Sequence, residues 1–284
     1  MRIARFDHAG TIVTGACAPG ADGLAVLGDT DPIALLSAGA SAIEHAIAGA
    51  TETVPFAGAR LRAPIPRPPK FLAIGLNYAD HCAEAGMPAP DFPVFFNKQT
   101  TCVIGPGDAI HVPRASALVD YECELGIVIG RRCRHVPADR ALDVIAGYTV
   151  VNDITVRDWQ LRAPTMTIGK SFDTHGPIGP WIVTPDEIPD PQALGLRTWV
   201  NGELLQDATT AGMIFSCAQQ IETLTTAFTL EPGDIIATGT PAGVGMLRQP
   251  PRWLVPGDVV AVEVDGIGRL ENPVIAEPAD TATM

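Results

Sequence analysis

The sequence predicts an α+β chain, rich in β-strands and built on strongly bent sheets. Three observations carry this. Pro-Gly-Asp occurs three times, at 106–108, 232–234 and 256–258, each time followed by an apolar, β-branched run. Val259 to Val264 meets Asp265-Gly266, a favoured hairpin turn, and the chain returns from Ile267 to Val274. Helical periodicity is confined to a few short stretches among these runs.

Residues 1–66 read as a small N-terminal α/β segment and 67–284 as the main domain. Ile3 to Val13 reads as a hairpin turning at Ala9-Gly10. Asp31 and Pro32 are an N-cap and a first-turn proline. Ile33, Leu36, Ala40, Ile43 and Ile47 then recur at helical spacing, so one helix is expected up to Gly49. Pro64-Ile65-Pro66-Arg67-Pro68-Pro69 reads as an extended linker and marks the boundary. Further helices are expected at 78–85, 138–146 and 213–228, the first capped by Asn77 with Asp80 at its third position.

Composition excludes several classes. The net charge of −13 argues against a nucleic-acid partner, which needs a basic face. Apolar runs are too short for a membrane span, and the first residues lack an apolar signal region, so a cytoplasmic protein is expected. The six cysteines form no CxxC pair and suit buried thiols in a reducing compartment. Gly169-Lys170-Ser171 lacks the glycine a phosphate loop needs at 164, which is proline, and Gly239 to Gly245 lacks dinucleotide-binding spacing. No GxSxG elbow or HExxH helix occurs. Lys70, Lys98 and Lys170 are the only lysines beside sixteen arginines, which reflects either a genome biased toward arginine codons or positions that need a compact ammonium.

Val119 to Ile129 is the strongest chemical signal. Side chains alternate across a strand, so Val119, Tyr121, Cys123, Leu125, Ile127 and Ile129 share one face, and Asp120, Glu122, Glu124, Gly126 and Val128 the other. Glu122 and Glu124 then stand about 7 Å apart at their Cα atoms. Such alternation suits a solvated face, or a hard divalent cation if a third carboxylate joins. Asp153, at the end of the β-branched run from Gly147, is a candidate third ligand. Arg157, Gln160 and Lys170 follow closely, a set suited to a small anion. His81 and Glu84 stand three apart on one helical face, either as a surface ion pair or as a general base with its orienting carboxylate.

Taken together, Asn77-Tyr78-Ala79-Asp80-His81, Phe95-Phe96-Asn97-Lys98, Asp120-Tyr121-Glu122-Cys123-Glu124-Leu125, Asn152-Asp153, Arg157-Asp158-Trp159-Gln160, Gly169-Lys170-Ser171-Phe172-Asp173 and Gly239-Thr240-Pro241-Ala242-Gly243-Val244-Gly245 resemble the successive motifs of the fumarylacetoacetate hydrolase family over about 68–275. The resemblance implies a mixed β-roll and commonly a homodimer. It implies Glu122, Glu124 and Asp153 as ligands of Mg2+ or Mn2+, Lys170 as the stabiliser of substrate charge, and His81 with Glu84 as a water-activating dyad on a lid segment. Lys98, Arg157, Gln160 and Thr240 match positions lining the site. The implied activity is metal-dependent C–C bond hydrolysis of an acylpyruvate or related 2,4-dioxo acid, with decarboxylation, isomerisation or oxaloacetate keto–enol tautomerisation as the alternative on the same enolate. Two departures stand out: Cys123 where the family often has a small residue, and His175 where an aromatic is frequent.

Overall fold

Strand pairing starts at the second residue. In the computed structural model, which describes residues 1–281, Arg2–His8 and Thr11–Cys17 form the expected hairpin. Arg2 and Ile3 then pair with Val183 and Ile182, so the leading strands continue the main sheet. That sheet has twelve strands and mixed direction. Its centre runs Arg2–His8, Gly176–Val183, Ile145–Asn152, Cys123–Ile129, Ile235–Ala237 and Phe71–Gly75, with Val94–Lys98 at the edge. A second sheet of five strands runs Glu203–Thr209, Gly195–Val200, Val259–Val264, Gly268–Ala276 and Ile110–Val112. Register shifts at Val128/Ile129, Tyr148/Val150 and Thr198/Trp199 bend the strands. Both sheets stay open rather than closing into a barrel. The architecture is the β-rich α+β fold that the turn pattern predicts.

Alternation along Cys123–Ile129 sorts side chains into two cores. Cys123, Leu125, Ile127 and Ile129 join Leu196, Val262 and Leu270 of the second sheet and Ile221 and Leu224 of the helix Cys217–Ala227. Val128, on the opposite face, joins Ile3, Phe71, Val151 and Ile178 beneath Leu35, Leu36 and Ile43. The strand is therefore covered on both faces, and every residue of it is buried. A solvated acidic face is excluded.

The three Pro-Gly-Asp turns share one geometry. Gly107, Gly233 and Gly257 have φ of 73°, 86° and 100°, which favours glycine. The carboxylates of Asp108, Asp234 and Asp258 accept from the backbone N–H three residues earlier, at Gly105, Glu231 and Val255. Each turn then feeds a strand, at Ile110–Val112, Ile235–Ala237 and Val259–Val264.

Local expectations need four corrections. The helix after Asp31 is two helices, Pro32–Ala38 and Ala40–Gly49, because Gly39 takes φ 86°, outside the helical region. The helix expected at 138–146 is a 3-10 helix, Ala138–Val144, that passes directly into the strand Ile145–Asn152. The helix expected at 213–228 begins at Cys217, where Ser216 and Gln219 form a reciprocal capping box. Tyr78, not Asn77, caps the helix Ala79–Glu84. Asn77 is buried and bonds instead to both backbone groups of Phe215 and to the Thr238 carbonyl.

Candidate active site

The acidic run is interrupted where it matters. Val119–Asp120 pairs with Thr155–Val156, and regular pairing resumes only at Cys123. Glu122 sits in this break, where its N–H donates to the Asn152 side chain at 3.1 Å. Its carbonyl accepts from Asp153 N at 2.9 Å. That bond draws the end of Ile145–Asn152 against the acidic strand. One carboxylate oxygen from each of Glu122, Glu124 and Asp153 lies within 4.8 Å of the others, and all three residues are buried.

Three cationic side chains face this cluster. Lys170 Nζ donates to Glu122 at 2.6 Å and to Asp153 at 2.8 Å. Lys98 Nζ donates to Asp153 at 2.6 Å and to the Lys170 carbonyl. Arg157 bridges Asp120 and Glu122, each at 2.8 Å. Burial works to raise the pKa of Glu122, but Lys170 and Arg157 outweigh it and hold the group down to about 2. Burial likewise opposes the charge on Lys170, yet Asp153 and Glu122 raise its pKa above the ordinary lysine value. Glu124 differs. Among the described residues it receives only the Gly239 N–H, at 2.8 Å. Burial, then the charges of Asp153 and Glu122, push its pKa well above the usual carboxylate range.

The residues fit a hard divalent cation. The donors are buried oxygens gathered at one point, and one of them, Glu124, has no cationic partner of its own among the described residues.

A cavity of about 90 Å³ meets the cluster at Glu122, while Glu124 and Asp153 do not line it. Glu122, Arg157, Gln160, Lys170, Thr240 and His81 form its polar side. Lys98 does not line it; its ammonium is enclosed behind Asp153. Gln160 accepts from Arg157 at 3.0 Å, and Thr240 donates to the Cys123 carbonyl at 3.0 Å. His81 stands at the rim with Nδ1 3.3 Å from Glu84 Oε2, which leaves Nε2 as the nitrogen available to a water. Neither departure from the family pattern reaches the cavity. Cys123 is buried on the core face, and His175 is fully buried with Nε2 donating to the His111 carbonyl at 2.7 Å.

The glycine-rich stretch has a role that its spacing does not reveal. Gly239 N donates to Glu124, Gly243 N to both oxygens of Glu84 at 3.0 and 3.1 Å, and Gly245 N to Asp120 at 2.7 Å. One loop thus holds three separate carboxylates by backbone amides. Gly243 must be glycine here: its φ is 102°, and a Cβ would meet the Leu205 carbonyl oxygen at 2.3 Å. Gln206, which sequence reasoning missed, ties this loop to the acidic strand by accepting from Cys123 N and donating to Thr240 Oγ1 and the Pro241 carbonyl. Asp120 was also passed over as an agent. It is fully buried and receives the Arg157 guanidinium together with the N–H groups of Tyr121, Gly245 and Met246.

A buried carboxylate triad beside an ammonium, floored by a mixed sheet and rimmed by a His/Glu pair, defines the small-molecule pocket of an enzyme. The chain belongs to the fumarylacetoacetate hydrolase family: residues 70–275 match the family's model of the fumarylacetoacetate hydrolase C-terminal domain. It is similar to the fumarylacetoacetate hydrolase of psychrophilic Exiguobacterium antarcticum, with 35% identity and TM-score 0.86 over 98% of this chain and 100% of that one. It is also similar to a 5-carboxymethyl-2-hydroxymuconate delta-isomerase from Mycobacterium smegmatis, with 36% identity and TM-score 0.80 over 98% and 100% of the two chains. A Burkholderia cenocepacia relative that carries only a provisional hydrolase name is 52% identical over 201 residues, 70% of this chain and 71% of its own. Family members are enzymes, both hydrolases and isomerases. No helix of the described residues is long and apolar enough to cross a membrane.

His175 gives a prediction for stability. Burial lowers its pKa to about 3, against the raising effect of the bond to the His111 carbonyl. In the unfolded chain a histidine titrates near ~6.5. Between those values the unfolded state binds a proton that the native state refuses. Stability therefore falls as pH drops through this window, by roughly 1.4 kcal/mol per pH unit for this one group. Urea unfolding of His175→Gln between pH 6 and pH 4 should show a slope shallower than wild type by about that amount.

Proposed function

We propose that this protein hydrolyses a C–C bond in an acylpyruvate or related 2,4-dioxo acid. The observation that supports this reading best is a metal-suited carboxylate triad whose Glu122 lines one cavity together with Lys170 and His81, the imidazole being held there by Glu84. A divalent cation, Mg2+ or Mn2+, held by Glu122, Glu124 and Asp153 would polarise the 2-oxo carbonyl as a Lewis acid. The chain's own groups do the rest. Nε2 of His81 takes a proton from water, and Glu84, steadied by the Gly243 amide, stabilises the imidazolium. The resulting hydroxide adds to the C4 carbonyl. The C3–C4 bond then breaks and its electron pair stays on C3, as the enolate of pyruvate. Lys170, whose charge is favoured by Asp153 and Glu122, stabilises the developing oxyanion. The proton taken by His81 returns to C3, which releases pyruvate and restores the base, and the acyl half leaves as a carboxylic acid.

Arg157 acts here chiefly by orientation. Its guanidinium is fixed by Asp120 and presents one nitrogen to Glu122 and Gln160 at the cavity edge. The isomerase among the similar structures supports a second reading, in which a proton is removed from the intact substrate and returned elsewhere on its enolate, without attack by water. The dyad favours the first reading, because hydrolysis needs a base that acts on water.

His81→Ala should lower turnover of acetylpyruvate by about 10²–10⁴-fold while Mn2+ affinity, read by calorimetry, is retained. Unchanged turnover would remove His81 from the base role. Gly243→Ala should lower turnover by about 10–100-fold through loss of the Glu84 anchor, again with the metal bound. Loss of metal together with activity would show that the loop supports the triad rather than the dyad.

A further inference from the structure

The cavity is polar on one side only. Ile74, Leu76, Val94, Phe96 and Met166 form the rest of its wall. The cations that reach the cavity are already engaged, Arg157 by Asp120 and Glu122, and Lys170 by Glu122 and Asp153. Lys98 lies behind Asp153 and does not line the space.

Charge balance narrows what can enter. Asp120, Glu122, Glu124 and Asp153, taken with Lys98, Arg157 and Lys170, leave one net negative charge in their ordinary ionised forms, and all seven residues are buried. A divalent cation would convert this to one net positive charge. The single carboxylate of a bound 2-oxo acid neutralises that charge. A second carboxylate in the same space would find no unengaged cation and would face the apolar wall, an expensive burial.

A wider cleft borders the dyad at Glu84, which lines it. Arg248 and Arg252 line it together with Glu84 and Glu203, so its lining carries no net charge. Arg252 is in addition paired with Asp258 at 2.9 Å.

We infer that the site selects monoanionic acylpyruvates with a short apolar acyl group and rejects 2-oxo acids that carry a second, distal carboxylate, with Ile74, Val94, Phe96 and Met166 as the discriminating wall. This rests on the reading that the pocket holds a 2-oxo acid over a metal ion, so the experiment separates the two claims.

Calorimetry on the Mg2+-loaded protein would compare pyruvate, 2-oxoglutarate and 5-methyl-2-oxohexanoate. The last replaces the distal carboxylate of 2-oxoglutarate by an isopropyl group of similar shape, and neither longer acid has a 4-oxo group to be cleaved. The expected result is that pyruvate binds and the apolar acid binds about tenfold or more tightly than 2-oxoglutarate. Val94→Arg, which places a cation in the wall, should narrow or reverse that ratio. Should the variant fail to fold, the wild-type ratio decides. Failure of pyruvate to bind would defeat the 2-oxo acid reading and the selectivity with it. If pyruvate binds and 2-oxoglutarate matches or exceeds its apolar counterpart, the selectivity alone is overturned. Loss of 2-oxoglutarate binding in Arg248→Ala would then place the carboxylate reader in the second cleft.

Discussion

Burying like charges side by side is the constraint around which this fold is arranged. Glu122 and Glu124 stand on the central acidic segment of a sheet covered on both faces, with Asp153 drawn against them. Isolated carboxylates in such a place would have to take up protons. The chain answers with ammonium and guanidinium groups at hydrogen-bond distance and with backbone amides from a glycine loop far along the chain. What remains unbalanced is concentrated at Glu124, the triad member without a cationic partner. That residual imbalance is the strongest physical reason to place a hard cation there.

The floor and the rim of the cavity are built differently. The floor rests on sheet residues tied together by Gln206 and Asn152, which accept from the backbone of Cys123 and Glu122, and by Arg157, which donates to Asp120. The rim rests on a six-residue helix, Ala79–Glu84, entered through Leu76, which has a positive φ of 57°. Asn77 pins the entry of that helix to Phe215 and Thr238, and Gly243 holds its last residue. The glycine loop therefore touches both parts, Glu124 below and Glu84 above. It sets the spacing between the base and the carboxylate cluster.

Much of this was legible in the sequence because it follows from periodicity. Alternation along the acidic strand separated ligand from core positions, and an aspartate closing a β-branched run stood out as a third carboxylate. The break at Tyr121 and Glu122 was not legible, since it arises from pairing with Thr155–Val156, a partner distant in the chain. Nor was the work of the glycine loop. Backbone amides leave no trace in residue type beyond the glycines that permit their geometry. Lys98 and Arg157 were recognisable as chemically special, but only the tertiary structure shows that one lies behind Asp153 and the other is fixed by Asp120. The helix break at Gly39 was a matter of local geometry that helical periodicity of the flanking residues concealed.

The most direct test of the carboxylate centre is a crystal grown with Mn2+ and pyruvate, with data collected on both sides of the manganese absorption edge. The predicted result is a single strong anomalous peak enclosed by the oxygens of Glu122, Glu124 and Asp153, with pyruvate beside it under His81. No peak there, or a peak held by other side chains, would contradict the assignment of these three residues as the metal-binding heart of the site.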